Sequence, residues 1–205
     1  MGPLFAIAVM KILVTGFKPF LGQNVNPSER LAQDLAEEFS PQVESIILPV
    51  EFKSSSDFLF KNKKLNEYEH VVLIGQATGR SKVGFEKVAL NWVQTEHFDE
   101  AGNKPPVGPI DHGSSTAVFS NFPIDRVVQH LKSKSLNVEI SFSAGAYVCN
   151  DLYFRSVNQH PEASIVFVHV PMIEEQIRVN ESQAYLKYDE IKNILRETIR
   201  FLSKV

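Results

Sequence analysis

The chain has 205 residues with 43% hydrophobic and 22% charged side chains, an ordinary globular balance that fits one domain and excludes a disordered or coiled-coil protein. Its net charge of −3, with scattered Lys and Arg, argues against a nucleic-acid partner, which needs clustered cations to neutralise phosphates. Cys149 is the only cysteine, so no internal disulfide can form, which suits a reducing, cytoplasmic compartment.

Taken in chain order, residues 3 to 14 (PLFAIAVMKILV) are nearly all apolar. The run is too short to span a bilayer and lacks the basic start and polar cleavage flank of a secretory signal, so no membrane partner is expected. Met10 opens the first core strand, KILVT, and is taken as the start of the domain. Residues 1 to 9 then form an N-terminal extension, with an extra edge strand as the alternative.

The chain next alternates apolar runs with helix-periodic stretches, the pattern of an α/β domain with a central, largely parallel sheet. A loop over residues 16 to 26 precedes a helix capped by Asn26 with Pro27 in its first turn, running through Leu31, Leu35 and Phe39. A strand over residues 46 to 50 and a helix over residues 55 to 64 follow, with Lys61, Lys63 and Lys64 as a solvated helix end. The run HVVLIG (residues 70 to 75) is a third strand, ending in the loop of residues 76 to 81.

Residues 83 to 93 read as one further strand. Residues 95 to 115, which hold Gly102, Pro105, Pro106, Gly108, Pro109 and Gly113, read as a long irregular loop, the kind that is usually functional. A helix over residues 124 to 133 leads into a strand at 138 to 141. SFSAGAYVCN should then turn sharply from strand into helix. Residues 164 to 170 form the last core strand, and residues 183 to 202 an amphipathic closing helix.

Three side chains stand out chemically. A lone cysteine usually packs in a core, but the small residues Ser143-Ala144-Gly145-Ala146 place Cys149 near a helix N-terminus. Unpaired N–H groups there favour a thiolate and can hold an oxyanion. Of six histidines, His169 alone ends a long apolar run, where α/β sheets collect ligand and catalytic groups; a hydrogen-bonded core histidine is the competing reading. No second His or Cys stands at ligand spacing from it, so no metal is expected. Glu86, in VGFEKVALN, is a carboxylate among apolar neighbours, costly there unless paired; a surface position on the strand is the alternative.

Those segments resemble the pyroglutamyl peptidases, a family of cysteine peptidases. SFSAGAYVCN resembles the family's nucleophile segment, FVHVP its histidine segment and GRSKVGFEKVALN its glutamate segment. VTGFKPFLGQNVNPSE resembles its N-terminal loop, and LPVEF and GQATGRS fit as well. The resemblance runs from Met10 to the C-terminus. It implies a single three-layer α/β/α domain with a mixed, twisted sheet, and a dimer or tetramer.

It also implies a catalytic Cys149 nucleophile, His169 as base and then acid, and Glu86 orienting His169. The pocket it implies holds a lactam ring between Phe17 and Phe20, with the loop backbone at Gln76 hydrogen-bonding the lactam and Val148 closing the site beside the thiol. The substrates would be N-terminally pyroglutamylated peptides, and no cofactor is needed. The sequence departs from the family pattern at Leu21, Thr78, Gly84 and Glu96, which leaves two rival readings: an amidase or esterase for another small blocked acyl group, and a non-catalytic relative.

Overall fold

The computed structural model describes residues 10–177 and 183–204. The expected extension, residues 1 to 9, lies outside the described residues.

The strands, in chain order, are β1 (Ile12–Phe17), β2 (Val43–Leu48), β3 (His70–Gln76), β4 (Val83–Glu86), β5 (Val88–Leu90), β6 (Ala117–Phe119), β7 (Val138–Ser141), β8 (Ile165–Val170), β9 (Met172–Ile173) and β10 (Tyr185–Leu186). The helices are α1 (Pro27–Glu38), α2 (Ser54–Asn62), α3 (Ile124–Ser133), α4 (Val148–Gln159) and α5 (Tyr188–Leu202). Six strands form the central sheet in the order β2-β1-β3-β8-β4-β7. β2, β1, β3 and β8 run parallel to one another; β4 and β7 run parallel to each other and opposite to the rest. The mixed, mostly parallel sheet of one α/β domain is as expected from the sequence.

The central strands are buried on both faces, which is why β1, β3 and β8 are written as unbroken apolar runs rather than as alternations. On one face, α1, α3 and α5 pack over Val14, Val72, Val166 and Val168. On the other, α2 and α4 cover Leu13, Leu73 and Phe167. This is a three-layer arrangement with a separate core on each side of the sheet. Asn26 caps α1 as expected, its Oδ1 accepting from the Ser28 N–H at 3.1 Å, with Pro27 behind it.

Several boundaries differ from the sequence expectation, four of them with consequences for the sheet and the closing helix. β1 continues two residues further, through Gly16 and Phe17, because β2 pairs with it to that point. β2 begins at Val43 rather than at residue 46. The single strand expected over residues 83 to 93 is two: β4 joins the central sheet, and β5 turns away to pair with β6. The closing helix starts at Tyr188, because Tyr185 and Leu186 pair with β9 instead of joining the helix.

The long loop between β5 and β6 is anchored rather than free. Asn91 Nδ2 donates to the Asp111 carbonyl at 2.6 Å and Asn91 Oδ1 accepts from the Asp111 N–H at 2.8 Å. Asp99, buried, accepts from the backbone N–H groups of Phe52, Ala101 and Asn103. Tyr147 Oη donates to the Phe98 carbonyl at 2.9 Å, tying the loop to the entry of α4.

Candidate active site

The strand-to-helix turn before α4 is made by Ser143 to Tyr147. Gly145 has φ of 78°, a left-handed conformation that a side chain would strain. Tyr147 caps the helix without a side-chain bond to the first turn. Cys149 is therefore the second residue of a helix whose leading N–H groups point outward without helical partners. Its thiol is half-buried and lines a cavity of about 220 Å³ at the carboxyl ends of β1, β3 and β8.

That cavity is also lined by Phe17 from the end of β1, Gln76 from the end of β3 and His169 from β8. Phe20, Asn26, Val50, Thr78, Ala144 and Tyr147 complete it. Sheet register assembles the rest. On β8, His169 stands directly opposite Gly75 of β3 on one side and Gly84 of β4 on the other. Glu86 sits opposite Phe167 and so becomes the diagonal neighbour of His169 on the same face. The His169 Nδ1–H donates to Glu86 Oε1 at 2.8 Å. Glu86 is fully buried although it is an acid, and its own backbone carbonyl accepts from Tyr153 Oη at 2.7 Å.

The glycine opposite His169 on β3 has a steric reason. A Cβ on Gly75 would meet the Phe167 ring at 2.7 Å and the Cys149 sulfur at 3.1 Å, so a side chain there would push the thiol away. Phe167 in turn packs against the His169 ring, with centroids 4.7 Å apart, and against Phe17 at 6.5 Å.

The helix start alone predicts a standing thiolate at Cys149; the surroundings favour the thiol. Burial pushes Cys149 up to about 12, helped by the Glu86 carboxylate, while its own backbone N–H and Arg80 act the other way. Burial likewise lowers His169 below its usual range, with Glu86 opposing and Arg80 adding to the fall. Both shifts favour a neutral resting pair, a thiol beside an imidazole whose Nδ1 faces Glu86 and whose Nε2 is turned from that carboxylate.

Cys149, His169 and Glu86 are thus brought together, and Phe17, Phe20 and Gln76 line the same cavity. Val148 does not line it: its side chain is fully buried in the core beneath α4. Of the unusual positions, Thr78 is in the lining. Glu96 points away, 91% exposed and paired with Lys104 at 2.9 Å. Leu21 is exposed and holds φ of 51°, a left-handed conformation costing about 1 kcal/mol.

Sequence reasoning missed two features. Gln76 is fixed by an amide network in which Gln176 Nε2 donates to Gln76 Oε1 at 2.9 Å and to Gln23 Oε1 at 2.7 Å. Arg80 Nη2 lies 2.8 Å from Glu86 Oε1. A cation one loop ahead of a buried acid is the only sequence signal for the second; nothing in sequence separation links the glutamines.

This constellation, a thiol at a helix N-terminus, an imidazole and a buried carboxylate, is suited to acyl transfer. Comparison with known proteins agrees. The family model for pyroglutamyl peptidase matches residues 10–204. The chain is 37% identical to the pyrrolidone-carboxylate peptidase of Pyrococcus furiosus over 175 residues, covering 82% of this chain and 84% of that protein. It is 34% identical to the one from Thermosipho melanesiensis, covering 93% and 97%. Among solved structures, pyroglutamyl peptidase I from Bacillus amyloliquefaciens superposes with a TM-score of 0.87 at 30% identity, covering 96% of this chain and 98% of that one. With a matching family model, relatives of this identity over most of the chain and a matching fold, the chain belongs to the pyroglutamyl peptidase family of cysteine peptidases.

Proposed function

We propose that this protein hydrolyses the bond between an N-terminal pyroglutamyl residue and the rest of a peptide, using Cys149, His169 and Glu86 as a triad. The observation that carries the reading is the buried Glu86–His169 pair opening onto a small cavity that also holds Cys149. Among the described residues, no Lys, Arg, Asp or Glu lines that cavity. An ordinary N-terminal residue would bury an unpaired ammonium there, whereas the uncharged lactam fits between Phe17 and Phe20 with Gln76 in reach of its amide.

In the reaction, His169 Nε2 takes the Cys149 proton as the sulfur attacks the pyroglutamyl carbonyl. Backbone N–H groups at the start of α4 receive the oxyanion. The imidazolium, stabilised by Glu86, returns that proton to the leaving amine as the C–N bond breaks. His169 then draws a proton from water, whose oxygen attacks the thioester, and the proton passes to the sulfur as the C–S bond breaks. Pyroglutamate is released and the thiol regenerated. No cofactor enters these steps. Cytoplasmic placement is supported by the need to keep the lone Cys149 reduced, and self-association as a dimer or tetramer by the family resemblance alone.

The test is a panel of fluorogenic amides carrying pyroglutamyl, prolyl, glutaminyl, acetyl or formyl ends, assayed under reducing conditions. Cleavage confined to the pyroglutamyl amide is expected. Comparable cleavage of acetyl or formyl amides would instead mean an amidase for other blocked acyl groups.

The pH dependence should carry the signature of a neutral pair. Protonating His169 removes the base, and because burial lowers its pKa, the acid limb of kcat/KM should lie below the ordinary histidine value of about 6.5. With Cys149 pushed up to about 12, no alkaline limb should follow from thiol ionisation at moderate pH. The same lowered pKa acts on stability. The unfolded chain takes up a proton that the folded one refuses, so stability should fall as pH drops from about 6.5 through the folded value and level off below it. A bell centred between the usual imidazole and thiol values would contradict the neutral resting pair.

A further inference from the structure

The two strands flanking β8 both place a glycine beside His169, and each vacated position is filled by a different group. Over Gly75 lie the edge of the Phe167 ring and, next to it, the Cys149 sulfur. Over Gly84 lies the Arg80 guanidinium, which a methyl group on residue 84 would overlap. From there Arg80 reaches Glu86 Oε1, the same oxygen that accepts from His169, and also donates to the Ser143 carbonyl at 3.1 Å in the turn before α4. Glu86 Oε2, by contrast, is buried and has no hydrogen-bond partner among the described residues. The orientation of the carboxylate thus depends on two groups converging on one oxygen.

We propose that Arg80 is a positioning residue for the triad: seated in the space left by Gly84, it holds the Glu86 carboxylate against His169 and couples it to the turn that presents Cys149. The proposal rests on the triad reading above.

The physical case has two parts. A fully buried carboxylate with a single neutral imidazole partner is poorly compensated for the loss of water, and the guanidinium, itself only 22% exposed, supplies the missing counter-charge. Arg80, itself anchored to the Ser143 carbonyl, also gives the oxygen facing His169 a second contact, so that oxygen is located from two directions. The charged and titratable groups facing the imidazole are Glu86 from β4, Arg80 from the loop before it and Cys149 from α4, with Tyr153 of α4 bound to the Glu86 backbone. Of these, Arg80 is the cation, and it opposes protonation of His169. Arg80 is the close contact at Gly84: after its guanidinium atoms, the next nearest atom to a Cβ there is the Ser141 Cβ at 3.6 Å, an ordinary contact.

The experiment compares wild type, Arg80→Gln, Arg80→Lys, Gly84→Ala and the Arg80→Gln/Gly84→Ala double variant on a pyroglutamyl fluorogenic amide, with the His169 imidazole titration followed by NMR in each. Arg80→Gln should lower kcat by about 10²-fold through misplacement of the imidazole, with KM little changed. It should also move the His169 titration and the acid limb to higher pH. Arg80→Lys should restore the titration but only part of kcat, since the charge returns on a shorter side chain, whereas Arg80 makes both the Glu86 and the Ser143 contact through its terminal Nη2. Gly84→Ala should reproduce Arg80→Gln in direction, and should add nothing when Arg80 is already Gln.

An unchanged kcat and titration in Arg80→Gln would overturn the proposal, as would an equal loss from Gly84→Ala in both backgrounds. A wild type that folds but cleaves nothing would sink the peptidase reading instead. The NMR titration, which needs no turnover, would still decide whether Arg80 acts on the Glu86–His169 pair.

Discussion

Cys149→Ala should lose turnover of a pyroglutamyl amide by about 10⁶-fold, the scale seen when a nucleophile is deleted from a triad. The whole of the proposed chemistry passes through one sulfur. Without it the remaining groups, His169, Glu86 and the N–H groups opening α4, can only polarise a carbonyl and activate water. The substitution should leave the fold in place. The side chain is half-buried, the change removes a single heavy atom, and α4 stays anchored by Asn150, whose Nδ2 donates to the carbonyls of Leu90 and Trp92 at 2.8 and 3.0 Å. Steady-state rates, together with mass spectrometry for the pyroglutamyl thioester, check the prediction. Wild type should gain the acyl mass during turnover and Cys149→Ala should not. Residual turnover above about a hundredth of wild type in the alanine variant would place the nucleophile elsewhere.

Glu86→Gln should lower kcat by about 10⁴-fold while KM moves little, the pattern for a group that stabilises the imidazolium only as the reaction proceeds. The amide keeps the size of the carboxylate but not its charge. It can also turn its NH₂ toward His169, which then favours the tautomer with its proton on Nε2, the nitrogen that must accept from the thiol. Structure responds too. Arg80 keeps its place between Gly84 and Ser143 but loses its counter-charge, and removing one partner of a buried ion pair costs about 3–5 kcal/mol in comparable sites. Arg80 is partly exposed, so the actual loss should fall below that range. Kinetics and thermal melts on the same preparation separate the two effects, because a variant that is fully folded at the assay temperature and still inactive has lost chemistry. A kcat near wild type would show that Glu86 serves only to hold the strand.

The three segments carrying the candidate triad are legible in the amino-acid sequence for local reasons. β3 and β8 are unbroken apolar runs because strands buried on both faces must be, and His169 is noticeable as a polar residue ending such a run. The turn before α4 shows itself through four small residues in a row, one of which does adopt the left-handed conformation. Glu86 is conspicuous as an acid among apolar neighbours. The likeness of these segments to a known family then suggests roles for them, and Phe17, Phe20 and Gln76 line the cavity that also holds Cys149 and His169.

Other features depend on which strands pair. Residues 83 to 93 carry one continuous loose alternation, yet β4 runs antiparallel to β8 while β5 leaves for β6, a division set by partners far away in sequence. Val148 adjoins Cys149 and so reads as a pocket residue, but a helix turns about 100° per residue and carries its side chain into the core. The ionisation of Cys149 escapes the sequence for a related reason. The helix N-terminus is visible there and favours the thiolate, whereas the desolvation that outweighs it comes from residues gathered out of five separate segments.

Apolar periodicity, turn residues and contiguous motifs are enough to indicate the α/β class, the candidate reactive side chains and the family, because each is written within a short stretch of chain. They do not reveal that His169 stands between two glycines, that one makes room for the Phe167 ring and the thiol and the other for Arg80, or that burial raises Cys149 and lowers His169. Those features belong to the folded molecule, because strand register, steric vacancy and burial arise among residues brought together from distant parts of the chain, and no local pattern encodes them.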